Sequence, residues 1–487
     1  MHKKIKTFYL IHHSHTDIGY TDLQENVVDN HINNIRQAVR IIRYGIEHNT
    51  PEKNFVWNCE TYYCVERFLE TASKEEKEQF FELVRRGNIG ISGTYLNFTD
   101  LADRRALFRR TAAMQETCTE YGVPVRAAMN ADINGISMGV RDALIENGIS
   151  FLYMNIHTQH GMYPLYKNQI PFWWEAENKK RLLVWSGEHY NLGNSLGLMG
   201  NNDIILYANE KLFKKNAENE HFLNQLHQNI ESRLCAYEED GYPYDFAVAS
   251  VSGVFSDNAP PNPALIYNVN AYNARFGHEV TLKLVTLEQF FDRVFDEISD
   301  APVYRGDLND WWANGVGSTP YALKHYREAQ RLSHICDRLE QKTGLHNERL
   351  AGIADQNMLL YAEHTWGHSS TISNPYDTMV LNLDMRKNSY ASKAHEAGAM
   401  RKKEQCRLLG EELSCYNTNG RVKAINLGRT AGKRPVEFFV ETGLMENVRV
   451  IDEKTGEELK TQISAHPRGR LISFVSFFEK GEEKIFS

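Results

Sequence analysis

The sequence has no long apolar run: no stretch approaches the ~18 uninterrupted hydrophobic residues that a membrane-spanning helix needs, so none is expected. No signal peptide is expected either, because Met1-His2-Lys3-Lys4 leads directly into a polar, histidine-rich motif. Basic residues are in deficit, 55 Lys and Arg against 63 Asp and Glu, for a net charge of -8. That balance argues against nucleic acid or an anionic membrane as main partner. Paired cysteines are missing as well. The seven present (Cys59, Cys64, Cys118, Cys235, Cys336, Cys406 and Cys415) are odd in number, scattered, and never spaced C-x-x-C. Free thiols in a reducing compartment, by default the cytoplasm, are expected. There are no internal repeats or low-complexity tracts. What remains is ordinary for a globular protein, 42% hydrophobic and 24% charged, and 487 residues exceed one compact core. Two or three domains are expected.

The most informative segment is Ile11-His12-His13-Ser14-His15-Thr16-Asp17-Ile18-Gly19-Tyr20. It follows Thr7-Phe8-Tyr9-Leu10, a short apolar and β-branched stretch with strand character. Alternate side chains of an extended segment share a face, so His13, His15 and Asp17 can point together. Imidazoles and a carboxylate converging at a strand end suit a divalent metal, zinc first. Taken alone, the run has a lesser alternative as a loop whose imidazoles hydrogen-bond to backbone.

Over the first ~300 residues short apolar strands alternate with amphipathic helices, the pattern of a parallel α/β sheet. The candidate strands are Phe8–Ile11, Asn54–Cys59, Ile89–Ser92, Ala127–Asn130, Phe151–Asn155, Leu182–Ser186 and Ala247–Ser250. Seven such strands predict an open or barrel-like sheet whose ligands gather at the C-terminal strand ends. From about Pro320 helical periodicity takes over, with helices expected over Tyr321–Leu339, Asn347–Glu363 and Tyr376–Glu412. After the turn Asn417-Thr418-Asn419-Gly420, strands return at Val422–Leu427, Val436–Glu441, Val448–Ile451 and Leu471–Phe477. The expected organisation is an α/β catalytic domain over 1–300, a three-helix bundle over 301–415 that completes the active site, and a β-sandwich segment over 416–487. The last part reads as the start of a sandwich whose remaining strands are missing.

Three further places combine strand ends or helix ends with chemistry. Asp132 closes the strand segment Ala128-Met129-Asn130-Ala131, with Gly135 allowing a tight turn; alone, it could be a helix cap. Asp257 lies in the irregular segment Phe255-Ser256-Asp257-Asn258, where an aspartate could simply form a turn. Glu363-His364-Thr365-Trp366-Gly367-His368 is an unusual helix end carrying two histidines.

In this order the pieces resemble glycoside hydrolase family 38, the α-mannosidases, in a divergent bacterial-type branch. The family's H-x-D-x-G plus aromatic is similar to His15-Thr16-Asp17-Ile18-Gly19-Tyr20, with tyrosine where tryptophan is usual. Its strand with an acidic residue resembles Val56-Trp57-Asn58-Cys59-Glu60, and its G-x-x-E-I-x-G-G-x-W resembles Gly87 to Tyr95 in outline. D-x-F-G is similar to Asp132-Ile133-Asn134-Gly135, Y-x-G-E-L to Tyr304-Arg305-Gly306-Asp307-Leu308, and V-x-V-x-N-P to Val422–Leu427.

The resemblance implies zinc bound by His15, Asp17, Asp132 and a late histidine, best matched by His364 with His368 as the other candidate. It further implies Asp132 as nucleophile and Asp257 as acid/base of a retaining glycosidase. His13 would then stand behind the ligands. Tyr20, Trp57, Glu60, Tyr95, Trp311 and Trp312 become candidate substrate-binding residues, with Trp173 and Trp174 as further possible sugar walls. The substrate would be a small oligosaccharide or glycoside, and homo-oligomers are common among such zinc enzymes. Two other readings stay open: a metal-dependent amidohydrolase or polysaccharide deacetylase using His13-Ser14-His15, and a non-catalytic glycan-binding protein on a hydrolase scaffold.

Overall fold

The computed structural model describes residues 2–159, 161–199, 216–308, 310–410, 420–440 and 447–487, with the side chains of 255 and 256 set aside. His160, Cys415, the turn residues 417–419 and the expected ends at Glu412 and Glu441 lie outside the described residues. The chain divides into two compact units. One comprises residues 1–324 with 355–392, the other 325–354 with 393–487.

In the first unit, β1 (Thr7–His15) is buried on both faces, apolar over Phe8–Ile11 and polar from His12 onward. Phe8 and Leu10 pack with Ala247, Ala249 and Val251 and with Leu226, Ile230 and Leu265 of two helices. Tyr9 and Ile11 join a second core with Met129, Tyr153, Trp185, Val248 and Phe290. The other strands of this unit are β2 (Trp57–Cys59), β3 (Ile89–Ile91), β4 (Ala127–Asp132), β5 (Phe151–Ile156), β6 (Ile170–Glu175), β7 (Arg181–Ser186), β8 (Phe246–Asp257), β9 (Thr281–Leu284) and β10 (Val303–Tyr304).

All seven expected strands form, but not as one seven-stranded parallel barrel-like sheet. The sheets are small and mixed: β8-β1-β9 and β2-β3 are parallel, while β10-β6-β7-β5-β4 contains the antiparallel pair β6/β7. Side chains interrupt the ladders at the seams. Between β1 and β2, Asn58 Nδ2 donates to the carbonyls of His12 and Val285, both at 3.2 Å, and Asn58 Oδ1 accepts from Leu287 N. Beyond β3, Ser92 Oγ accepts from Met129 N at 2.9 Å where a backbone carbonyl would otherwise serve. Each substitution satisfies buried backbone groups without extending the sheet.

The three late helices run Pro320–Thr343, Glu348–Ala362 and Thr378–Leu409, their residues divided between the units. In the second unit the strands are antiparallel. Gly432–Val440, Gly469–Phe478 and Thr461–His466 form a three-stranded sheet, and Val422–Ile425 pairs with Glu483–Phe486. Val450, Ile472, Phe474, Phe478 and Phe486 fill its core.

Candidate active site

The C-terminal end of β1 delivers the first donors. Its register against β8 shifts between His13 and His15, a bulge that turns the strand end. The chain then reverses at Gly19, whose φ of 111° is easy only for glycine. β4 ends at Asp132, a non-glycine residue held at φ 74°. Such strain persists only where the surroundings enforce it, and it marks candidate functional positions. After the helix ending at Ala362, His364 N donates to Asn97 O at 3.0 Å, fixing the residue just beyond the helix.

These elements bring His15, Asp17, Asp132 and His364 together, all buried, each offering one donor atom within 4.8 Å of the rest. His364 Nε2 lies 3.2 Å from Asp17 Oδ1 and 3.3 Å from Asp132 Oδ2; His15 Nε2 lies 3.2 Å from Asp17 Oδ1. Both Nε2 atoms lack a hydrogen-bond partner among the described residues. Two orphaned imidazole nitrogens facing two carboxylates form an N2O2 donor set, which fits a divalent ion of the zinc class. The electrostatics agree. Burial opposes charging of His15, yet Glu60 and Asp17 outweigh it and hold its pKa well above the ordinary value. For His364 the same burial is outweighed by Glu363, Asp132 and Asp17. The cluster is a buried anionic site that favours positive charge.

Behind each imidazole stands a carboxylate. Glu60 Oε1 lies 3.1 Å from His15 Nδ1 and accepts from Thr16 N and from Asn97 Nδ2. Glu363 Oε1 lies 2.9 Å from His364 Nδ1, and the buried Lys387 Nζ donates to Glu363 Oε2 at 3.1 Å and to the Glu363 and Leu360 carbonyls. Such partners orient a ligating imidazole and leave its other nitrogen for the ion. Glu60, expected at the substrate, is thus buried behind His15. His13 faces the same carboxylate, its Nδ1 2.6 Å from Glu60 Oε2, and stays outside the four-donor cluster. Asn97 ties the whole together, with Nδ2 on Glu60 and Oδ1 accepting from Ala131 N.

On the other side, Tyr190 stacks on His15 with ring centres 4.2 Å apart and donates its hydroxyl to Asp257 Oδ1 at 2.8 Å. Burial, then Asp132 and Asp257, push the Tyr190 phenol far up, so it remains a donor. Asn258 Oδ1 accepts from Asp17 N and from His31 Nε2, and Asn258 N donates to His15 O. The Tyr20 phenol is also raised, by burial and by the charges of Asp17, Asp132 and Asp257. The Trp312 ring lies 6.0 Å from the His364 ring and 5.9 Å from that of His157.

His157 and His189 lie near Asp132. Their Nδ1 atoms accept main-chain N–H bonds from Gln159 and Asn191, so each neutral ring carries its proton on Nε2. They suit hydrogen-bond donation better than metal ligation.

Other sequence candidates stand outside the four-donor cluster. Trp57 is buried edge-on against His12, and the Tyr95 hydroxyl bonds to Glu66. Trp311 is 60% exposed, His368 packs near Tyr20 outside the donor cluster, and Trp173 and Trp174 donate to the Ser299 and Gly306 carbonyls. Tyr190, Asn97, Glu363 and Lys387 were not singled out from sequence. Only Glu363, beside the His364 motif, carried a local signal.

The family model described as "Glycosyl hydrolases family 38 N-terminal domain" matches residues 6–307. The chain belongs to glycosyl hydrolase family 38. No curated protein sequence matches significantly. Among solved structures, an α-mannosidase from Enterococcus faecalis is similar at 16% identity and TM-score 0.66, covering 99% of this chain and 56% of that one. A family 38 protein from the same organism is similar at 12% identity and TM-score 0.60, covering 99% and 54%. The chain thus spans about half the length of these two structures, and at such identities the likeness is one of fold. No helix among the described residues is long and apolar enough to cross a membrane.

Proposed function

We propose that this family 38 protein is a zinc-dependent retaining glycosidase acting on α-mannosides or closely related glycosides. The observation that carries the reading is the buried donor set His15, Asp17, Asp132 and His364, in which one carboxylate sits on a strained strand end. When bound, zinc would supply Lewis-acid attraction for adjacent sugar hydroxyls and so orient the ring. His15, Asp17, Asp132 and His364 would hold it.

The remaining chemistry belongs to the chain. Asp132 attacks the anomeric carbon to form a glycosyl ester, while Asp257 protonates the departing oxygen and then deprotonates the incoming water. Tyr190, donating to Asp257 Oδ1, fixes that carboxyl group beside the His15 ring. Trp312 and Tyr20 offer apolar faces for the sugar ring, and the Nε2–H group of His189 offers a donor to hydroxyls near Asp132.

Purified protein assayed on a panel of aryl α- and β-glycosides tests this. Hydrolysis of an aryl α-mannoside with retained configuration is expected, and Asp132→Asn should reduce turnover by about 10³-fold or more. Acetate or amine release with intact glycosides would instead establish the deacetylase reading. Binding of sugar without turnover would establish the non-catalytic one.

A further inference from the structure

A second group of donors stands apart from the catalytic candidates, at the opposite end of β1. His227, Glu231 and Glu279 each offer a ligand atom within 4.8 Å of the others. His227 and Glu231 are four residues apart on the helix Glu220–Glu239, so they share one face. Glu279 follows the helix Ala264–Phe276 and lies with Oε2 3.7 Å from His227 Nε2. The segment before β1 backs this group: His2 Nδ1 contacts Glu231 Oε1, and His2 N donates to Glu231 Oε2 at 3.2 Å.

Two features separate this group from ordinary surface ion pairs. First, the side chains are poorly exposed, at 18% for His227, 14% for Glu231, 19% for Glu279 and 2% for His2. Second, among the described residues neither carboxylate has a lysine or arginine partner. Glu231 pairs only with His2, and Glu279 only with His227 and His278. Two half-buried carboxylates compensated by imidazoles alone leave room for a cation. The His227 ring is held rigidly, stacked on Phe276 at 4.0 Å with its Nδ1 3.2 Å from the Tyr272 hydroxyl. With Nδ1–H donated to that hydroxyl, Nε2 presents its lone pair toward Glu279.

The geometry points to a second divalent-metal site, formed by His227, Glu231 and Glu279, with His2 holding Glu231 in place. Mixed imidazole and carboxylate donors select a zinc-class ion over magnesium or calcium. The ion clamps the helix Glu220–Glu239 to the turn after the helix Ala264–Phe276, and His2 ties the segment leading into β1 to the same Glu231. The site is structural, and it stands whether or not the His15 cluster binds metal.

The test is a zinc titration of chelator-stripped protein, with stoichiometry from calorimetry and elemental analysis. Glu231→Gln and Glu279→Gln should each bind one Zn2+ fewer per chain than the unsubstituted protein, and their thermal midpoints should rise less on zinc addition. Equal stoichiometry in the unsubstituted protein and both variants would overturn the site. If either variant fails to fold, zinc-edge anomalous scattering from zinc-soaked crystals of the unsubstituted protein decides. A peak between His227 and Glu279 supports the site, and absence of a peak there overturns it.

Discussion

His12, His13 and His15 are near neighbours with three different environments, and His12 shows what a core histidine costs. Its Nδ1–H donates to Val251 O at 2.9 Å and its Nε2 accepts from Asn262 N, so the neutral ring is satisfied. Burial pulls its pKa down to about 3. Above the unfolded value of about 6.5 neither state holds the proton, and the contribution of His12 to stability is complete. As pH falls from there toward 3, the unfolded chain takes up a proton that the folded chain refuses. Stability then declines by about 1.4 kcal/mol for each pH unit. His12→Gln, compared with the unsubstituted protein by urea midpoints between pH 7 and pH 4, should show the shallower acid decline; parallel profiles would refute this. Lys387 gives a second residue-level prediction. Its ammonium is the cationic partner of Glu363, which orients His364. Lys387→Met should weaken zinc binding by about 10–100-fold, measured by chelator competition. The same change in a Glu363→Gln background should add little, because the charge that Lys387 balances is gone.

Among the elements, the seams between sheets position the site, and Gly90 governs one of them. It pairs with Asn58 across β2/β3, and a Cβ at position 90 would lie 2.4 Å from Asn58 Oδ1. Replacing a strand glycine by alanine gains up to about 1 kcal/mol of chain entropy. Here Asn58 cannot retreat, because its amide is committed to Leu287 N and to the His12 and Val285 carbonyls. Overpacking, about 1–3 kcal/mol, wins. Gly90→Ala should therefore lower the denaturation midpoint, and a rise would show that the Asn58 seam is soft.

The same seam explains what the sequence could and could not reveal. Strand positions, and the donors His15, Asp17 and Asp132 placed at or just beyond strand ends, were legible from apolar runs and motif order. Sheet partition was not, because hydrophobic period says which segments are extended but not whether a backbone carbonyl or an Asn58 side chain meets the neighbour. Glu60 was expected at the substrate, and nothing local in the sequence reveals that its carboxylate lies behind His15. Asn97, Tyr190 and Lys387 join the site only through contacts distant in sequence.

For the whole molecule, the candidate metal centre ties together residues 15, 17, 132 and 364, which are far apart in the chain and lie within one compact unit. A ligand that binds only the folded state stabilises it by RT ln(1 + [L]/Kd), about 4 kcal/mol at a thousandfold excess over Kd. For a unit of this size that corresponds to a rise in thermal midpoint on the order of 5 °C. Chelator-stripped protein should melt lower by about that amount, and zinc should restore it. Stabilisation through the His227 group would add to this, so the two contributions must be separated by variant. Asp17→Asn keeps the side-chain volume but removes one of the two carboxylates facing both imidazoles. It should lose the part of the zinc-dependent rise due to the catalytic cluster while keeping the part lost in Glu231→Gln. If Asp17→Asn retains the full rise and Glu231→Gln abolishes it, zinc is bound at the far end of β1 alone, and the proposed zinc dependence of the active site fails.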